Sequence, residues 1–276
     1  MAAIIWTIGI LAGVFCLFLW LIHPAMGRKN ECLEFAAWDY AHRGLWDMDL
    51  GIPENSMPAF RRAVENGYAI ELDVHLTADR QLVVFHDDTL NRVCGVQGTP
   101  ESMTLEELHK LRLSGTQEHM PTLQDVLSLV DGQSPILVEI KQPAVHSEIC
   151  RYLVPVMQAY PGPFLIESFN PFALRAYKKA DPTPLLGLLS ERYPSSLNVN
   201  PLVKILSTSL MLDAICRPDF IAYNYRTINV TGFILVKKLF RAPVFVWTVR
   251  KEKDYHRCRE LYDAVIFEHF QPEKRR

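Results

Sequence analysis

No cysteine in this chain stands near another. Cys16, Cys32, Cys94, Cys150, Cys216 and Cys258 are scattered, without a CxxC pair or a metal-ligand spacing. That excludes a cysteine-ligated zinc site and a dithiol redox motif, and the six read as free thiols, most of them buried. Net charge is equally scarce. With 29 basic and 31 acidic residues the formal charge is −2, and no long basic patch marks a nucleic-acid partner. Internal repeats and low-complexity tracts are absent too, so neither a solenoid nor a disordered arm is expected. What remains is an ordinary globular composition, 49% hydrophobic and 22% charged, over 276 residues. That length exceeds the usual domain but suits one α/β barrel of about 250 residues.

A further absence is local. Met1 to Ile22 contains no charged side chain and is dense in Ile, Leu, Val, Phe and Trp. About 20 such residues can span a bilayer as a helix. A cleaved signal peptide usually has a basic start and a shorter apolar core. No Lys or Arg precedes this run, and Ala25-Met26-Gly27 is a weak cleavage site. A buried core helix would carry a polar stripe, and none is present. Residues 1–22 are therefore expected to be an uncleaved transmembrane anchor, followed by a linker over 23–34. Arg28 and Lys29 lie just after the span, so the positive-inside rule puts the catalytic part in the cytoplasm.

The rest, 35–276, reads as one domain. Phe35 to Ala41 is a plausible first strand, ending in His42-Arg43-Gly44. Ser56 caps a helix that Gly67 ends. The run ending at Asp73 is the second strand. Apolar, strand-like runs follow at Ile136–Ile140, Phe164–Phe169, Leu185–Leu189, Phe220–Tyr223, Val244–Val249 and Ala264–Phe267. Most gaps between them have helical periodicity, as in Glu148–Tyr160, Pro171–Ala180 and Thr231–Phe240. Eight such units predict a parallel sheet closed into a TIM (β/α)8 barrel, with a doubly wound open sheet as the alternative. Residues 87–121 supply no core strand and read as a small insertion after the second strand.

Chemistry gathers at Tyr68–Asp88. Glu71 and Asp73 are two residues apart, so in a strand both point the same way. A turn near Asp79-Arg80 and a return run Leu82–Phe85 make a hairpin, because the gap is too short for a parallel crossover. A turn centred there sets Asp73 roughly opposite His86. In a barrel the functional residues sit at the C-terminal strand ends. Those ends offer His42-Arg43, Glu71, Asp73, Glu139, Lys141, Glu167-Ser168, Asn224 and Trp247-Thr248. Three carboxylates (Glu71, Asp73, Glu139) in one cleft need a cation, and all-oxygen ligation selects Mg²⁺ or Ca²⁺. Arg43 and Lys141 beside that ion suit a phosphate-bearing substrate. Histidines 42 and 86 supply a proton donor and acceptor near neutral pH. Singly, each motif also has a bland reading as a surface turn or a salt-bridged strand edge. Their shared placement at one end of the barrel favours a site.

AHRG at 41–44, PENS at 53–56, ELDV at 71–74, VVFHD at 83–87, VEIK at 138–141, SFN at 168–170 and VWTV at 246–249 occur in this order. Together they resemble the glycerophosphodiester phosphodiesterase family over about residues 37–272. The resemblance implies a metal-dependent TIM barrel that hydrolyses glycerophosphodiesters to sn-glycerol 3-phosphate and an alcohol. It implies His42 and His86 as the acid/base pair and Glu71, Asp73 and Glu139 as metal ligands. Arg43 and Lys141 would then hold the phosphate, Asn55 would shape the pocket, and Trp247 would pack against the glycerol. Ser56 replaces the more usual Thr. Two departures bear on the substrate: Arg250 stands where Asn is common, and Ile266-Phe267-Glu268-His269 replaces an ITD-x-P pattern. A membrane lysophospholipase D would use the same site. A non-enzymatic phosphodiester-binding barrel would not need both histidines, and a metal-dependent isomerase would not explain them beside Arg43 and Lys141.

Overall fold

The computed structural model describes residues 1–141, 146–194 and 200–273. The strands in chain order are β1 (Asp39–His42), β2 (Ala69–Leu76), β3 (Leu82–Val84), β4 (Ile136–Ile140), β5 (Phe164–Ser168), β6 (Leu185–Ser190), β7 (Phe220–Asn224), β8 (Val244–Val249) and β9 (Ala264–Phe267). The helices are α1 (Ala2–Leu21), α2 (Lys29–Phe35), α3 (Met57–Glu65), α4 (Asn91–Cys94), α5 (Leu105–His109), α6 (Leu123–Val130), α7 (His146–Ala159), α8 (Pro171–Ala180), α9 (Pro201–Thr208), α10 (Asp213–Cys216), α11 (Thr231–Leu235) and α12 (Glu252–Leu261).

Every strand except β3 lies in one parallel series, β1-β9-β8-β7-β6-β5-β4-β2, which the β1–β2 pairing closes into a barrel. Helices cover its outer surface, so this is a TIM barrel. Strand alternation divides the apolar residues into two cores. Ile70, Leu72, Val138, Ile166, Leu186 and Ile221 face the helices. Tyr40, Ala69, Leu137, Leu165, Phe220 and Phe245 fill the barrel itself. The strands are apolar on both faces for that reason, which is why they read as near-continuous hydrophobic runs. At Gly187 the inner column of β6 leaves space: a β-carbon there would come within 2.2 Å of the Phe220 ring.

β3 pairs antiparallel with β2, as the hairpin reading required. The register differs by one residue. His75 lies opposite Val83, and the Phe85 amide donates to the Asp73 carbonyl at 3.0 Å, so Asp73 faces Phe85 rather than His86. The Arg80 backbone, at φ 65°, tightens the turn. Beyond β3 the insertion packs around Val83, Phe85, Leu90, Val93, Leu108 and Leu113 as a small core of its own. Buried His75 fastens it to β2 through Glu101, with Nδ1 and Oε1 2.5 Å apart.

The start of the barrel differs from expectation. Residues 23–34 hold α2, and Phe35 ends that helix instead of opening a strand. Cys32 and Ala36, four apart on one helical face, join Tyr40 and Phe245 in the barrel core. The Cys32 thiol donates to the Asp219 carbonyl. The aromatic content of 35–38 suggested a strand, but burial against the barrel floor favoured a helix.

α1 is 20 residues long with mean hydropathy 2.5 and no residue buried. It is long and apolar enough to cross a membrane, a property it shares with signal sequences. Its C-terminal end is fixed to the barrel. Ile22 is buried, the Ala25 amide donates to the Pro218 carbonyl at 2.8 Å, and Arg217 Nη1 donates to the carbonyls of Trp20 (2.7 Å) and His23 (2.6 Å).

Gly187→Ala should overpack the barrel against Phe220 and cost about 1–3 kcal/mol. Chemical denaturation should show a lower midpoint, and adding Phe220→Leu should recover much of the loss.

Candidate active site

The inward column of several strands changes from apolar to charged toward the C-terminal end. On β2 it runs Ala69, Glu71, Asp73; on β4, Leu137, Glu139; on β5, Leu165, Glu167. Register then sets Asp73 beside Glu139 and Glu139 beside Glu167. All four carboxyl groups are buried. One oxygen from each of Glu71, Asp73 and Glu139 lies within 4.8 Å of the other two.

Such crowding shifts their protonation. Burial, then repulsion from Asp73 and Glu167, holds Glu71 well above the usual carboxylate range. Burial and Glu139 do the same to Glu167. Burial also lifts Glu139, with Lys141 working against it. Burial opposes ionisation of Asp73 as well, but Lys141, His86 and Arg43 outweigh it and hold this carboxyl low. Lys141 Nζ stands 3.2 Å from Asp73 Oδ1 and 3.1 Å from Glu139 Oε1, and Arg43 Nε 3.7 Å from Asp73 Oδ2. Two permanent cations therefore face four carboxyl groups. Asp73 Oδ1 and Glu167 Oε2 receive no hydrogen bond of good geometry. Hard oxygen donors gathered this closely fit a divalent cation at Glu71, Asp73 and Glu139. A second acidic group, Glu54, His86 and Asp87, already has its cation: Arg92 donates to both Glu54 oxygens (2.6 and 2.8 Å) and both Asp87 oxygens (2.6 and 2.7 Å).

The loops after β1 brace these carboxylates. Arg43 and Asn55 adopt left-handed φ of 59° and 52°, which costs energy in non-glycine residues. The turn aims the Arg43 amide at Glu71 Oε2 (2.9 Å), while Asn55 Nδ2 donates to Asp73 Oδ2 (2.8 Å). Gly44 is required here. Its φ is +79°, and a β-carbon would meet Ala59 at 2.9 Å.

Each histidine is held by a carboxylate that an arginine holds in turn. His42 Nδ1 lies 2.5 Å from Glu268 Oε2, and Arg250 Nε donates to the other oxygen of Glu268. His86 Nδ1 lies 2.7 Å from Asp87 Oδ1, and Asp87 is gripped by Arg92. With Nδ1 engaged, Nε2 is the nitrogen left for chemistry. Burial and Arg43 lower His42 to about 4 against the pull of Glu268, so its ring is neutral at neutral pH and can accept a proton.

These groups surround a cavity of about 120 Å³, whose wall includes His42, Arg43, Glu71, His86, Glu139, Lys141 and Trp247. Of the other residues read from sequence, Asp73 and Asn55 lie just behind that wall. Ser168 and Asn224 serve elsewhere, Ser168 donating to the Ile140 carbonyl (2.7 Å) and Asn224 to Glu191 (2.9 Å). Sequence reasoning missed the support around the site. Glu268 continues the inward column Ala264, Ile266 past the end of β9, a parity signal that was available. Arg250 and Glu268, noted as departures from the family's pattern, meet beside His42, and Arg250 lines the cavity. The Arg92–Glu54–Arg43 link is 38 residues from Glu54 to Arg92, and no local pattern announces it.

Residues 42–271 match the model of the glycerophosphoryl diester phosphodiesterase family. The chain belongs to that family. Its members are phosphoric diester hydrolases, and the cavity wall carries the residue types such chemistry uses. A glycerophosphodiester phosphodiesterase of Caldanaerobacter subterraneus subsp. tengcongensis is 38% identical over 162 residues, 54% of this chain and 65% of that one. The match thus spans just under two thirds of that relative. Human lysophospholipase D GDPD1 is 33% identical over 137 residues, 45% of this chain and 42% of its own. Among solved structures, an Oleispira antarctica phosphodiesterase in complex with the product sn-glycerol-3-phosphate superposes with a TM-score of 0.68. It is 25% identical, and the match covers 83% of this chain and 92% of that one.

If Glu268 orients His42, Glu268→Gln should lower kcat about 10–100-fold, as losing a carboxylate behind a functional histidine typically does. KM should change little, and steady-state kinetics on a glycerophosphodiester will separate the two.

Proposed function

We propose that the protein hydrolyses glycerophosphodiesters to sn-glycerol 3-phosphate and an alcohol, using a divalent cation, Mg²⁺ or Ca²⁺, at Glu71, Asp73 and Glu139. The observation that carries this reading is the junction of three clustered buried carboxylates with two oriented histidines and two cations in one cavity. The product-bound relative supports the substrate. When bound, the cation supplies charge stabilisation at a non-bridging phosphate oxygen. Arg43 and Lys141 hold the phosphate and stabilise the charge that grows on it. Trp247, edge-on to Phe169 with ring centres 5.5 Å apart, packs against the glycerol.

His42 takes the proton of the attacking hydroxyl, either water or the glycerol 2-hydroxyl, through Nε2. Glu268 holds the ring and balances the charge it gains. On the other side of the phosphate His86 gives its proton to the departing alkoxide, with Asp87 holding the ring at Nδ1. The phosphorus–oxygen bond to the alcohol breaks as the new one forms; where the glycerol 2-hydroxyl attacks, water then opens the resulting cyclic phosphate to give the same product. α1 is read as a membrane anchor that keeps the barrel beside the bilayer, on the cytoplasmic side that Arg28 and Lys29 favour. Arg28 also ties the linker helix to the barrel, pairing with Glu31 at 2.7 Å and donating to the Pro182 and Pro184 carbonyls.

Three outcomes test these assignments. Chelator should abolish turnover and added Mg²⁺ or Ca²⁺ restore it, while Glu71→Gln and Asp73→Asn should stay inactive in an assay for released glycerol phosphate; full activity without metal would falsify the cation's role. His42→Ala and His86→Ala should each lose about 10²–10⁴-fold in kcat. A p-nitrophenyl phosphodiester, whose leaving group needs little protonation, should partly rescue His86→Ala and not His42→Ala. Rescue of His42→Ala alone would exchange the two roles. Removing Met1–Leu21 should move the active enzyme from the membrane fraction to the soluble one; a truncated chain that still sediments with membranes would show that α1 is not the anchor.

A further inference from the structure

The end of α1 meets the barrel on the side away from the catalytic mouth. Arg217 and Pro218, which hold Trp20, His23 and Ala25, lie just before β7 opens at Phe220. Arg28 donates to Pro182 and Pro184, just before β6 opens at Leu185. Phe240, in the segment leading to β8, lies edge-on to His23 with ring centres 4.7 Å apart. Each of these contacts falls at the N-terminal end of a strand. His42, Asp73, Glu139 and Trp247 stand toward the C-terminal ends instead. At about 3.3 Å per residue, β6 and β7 put roughly 15–20 Å between the two levels.

There is no slack between α1 and the barrel. Residues 2–17 are exposed throughout, so the helix stands clear of the barrel instead of lying along it. Its 20 residues, at about 1.5 Å each, reach about 30 Å, the thickness of the hydrocarbon layer. The next residue, Ile22, is already buried in the barrel. A span that uses all of α1 therefore brings the adjoining barrel surface into the headgroup layer, and the side chains there fit it. A cleft of about 400 Å³ between α1 and the barrel is lined by Leu19, Trp20, His23, Arg217 and Phe240. The Arg217 guanidinium lies over the Trp20 ring, 4.6 Å from its centre. Next to Phe240, Lys238 and Arg241 are exposed, and Leu239 is 54% exposed. Aromatic and aliphatic side chains framed by cations suit the surface of an anionic bilayer.

We infer that the barrel rests on anionic phospholipid headgroups through Arg217, Lys238, Leu239 and Arg241, with its catalytic mouth turned toward the aqueous phase. The inference depends on the reading of α1 as a membrane anchor. Charge complementarity names the partner, because attraction to anionic lipid acts only on cations held within a Debye length of the leaflet. The other apolar surface that could meet a bilayer is α9, where Leu202, Val203 and Ile205 are exposed. It belongs to the mouth: Ser190, at the C-terminal end of β6, donates to the Ser207 carbonyl. For a bilayer to cover that end, α1 would have to run back along the barrel, and residues 2–17 would then be covered.

Fluorescence quenching by lipid tests this orientation. In full-length protein with Cys16 and Cys94 replaced by Ala, Leu239→Cys or Leu202→Cys carries an environment-sensitive fluorophore. Each protein is reconstituted into vesicles of phosphatidylcholine, alone or mixed with phosphatidylglycerol, that contain a lipid with a nitroxide on its headgroup. A probe at 239 sits in the headgroup layer and should lose about half its emission or more, while a probe at 202 loses little. The loss at 239 should be greater in the anionic vesicles, and Lys238→Glu with Arg241→Glu should remove that difference. These are surface changes, so glycerophosphocholine turnover should stay within about twofold and report an intact fold. The milder pair Lys238→Gln and Arg241→Gln repeats the test. Stronger quenching at 202 than at 239 overturns the orientation, and equal quenching at 239 in both kinds of vesicle overturns the anionic partner, while the anchor reading stands. Full-length protein that fails to sediment with vesicles of either kind overturns the anchor reading and this inference with it.

Discussion

Four carboxyl groups inside the mouth of a barrel repel one another and lose water together, and most of the site answers that problem. Glu71, Glu139 and Glu167 are pushed toward protonation by burial, while Asp73 is held ionised by the cations around it. The strained turns at Arg43 and Asn55 spend conformational energy to aim an amide and a carboxamide at Glu71 and Asp73. Lys141 bridges Asp73 and Glu139. A fold that only needed a stable core would place leucine at these positions, as it does two residues earlier on β4 and β5. The cost of burying this much acid is understandable when the acid holds a cation.

The histidines follow a parallel plan. Each sits between the cavity and a carboxylate, and each carboxylate is anchored by an arginine from outside the barrel strands. The two arms differ in depth. His42 and Glu268 are enclosed, whereas His86 and Asp87 lie nearer the surface, and the arginine of each arm is half exposed. Because Arg92 also grips Glu54, which holds Arg43, the insertion, the loop before α3 and the carboxylate cluster are mechanically linked. Changes in the insertion should therefore be felt at Arg43 and the carboxylates beside it.

Much of this was legible in the chain. Strand positions emerged because a barrel buries both faces of each strand, which leaves unbroken apolar runs. Glu71 and Asp73 were readable from their spacing, and His42, Arg43, Glu139 and Lys141 from their place at the ends of those runs. What failed was set by tertiary packing. α2 forms because Cys32 and Ala36 find the barrel floor, a contact that short-range propensity does not encode. The hairpin register turned on a single residue, which a turn centre estimated from composition does not resolve. Glu268 is brought to His42 across 226 residues by the β1–β9 pairing, so its role becomes visible only once the barrel closes.

The central claim is that the crowded carboxylates form one cation site. Calorimetric titration of Mg²⁺ or Ca²⁺ into metal-stripped protein tests it without relying on turnover. The account predicts saturable uptake of one ion per chain, lost or greatly weakened in Glu139→Gln, which removes one anionic ligand from the cluster. Absence of uptake by the wild-type protein, or uptake of equal strength in Glu139→Gln, would contradict it.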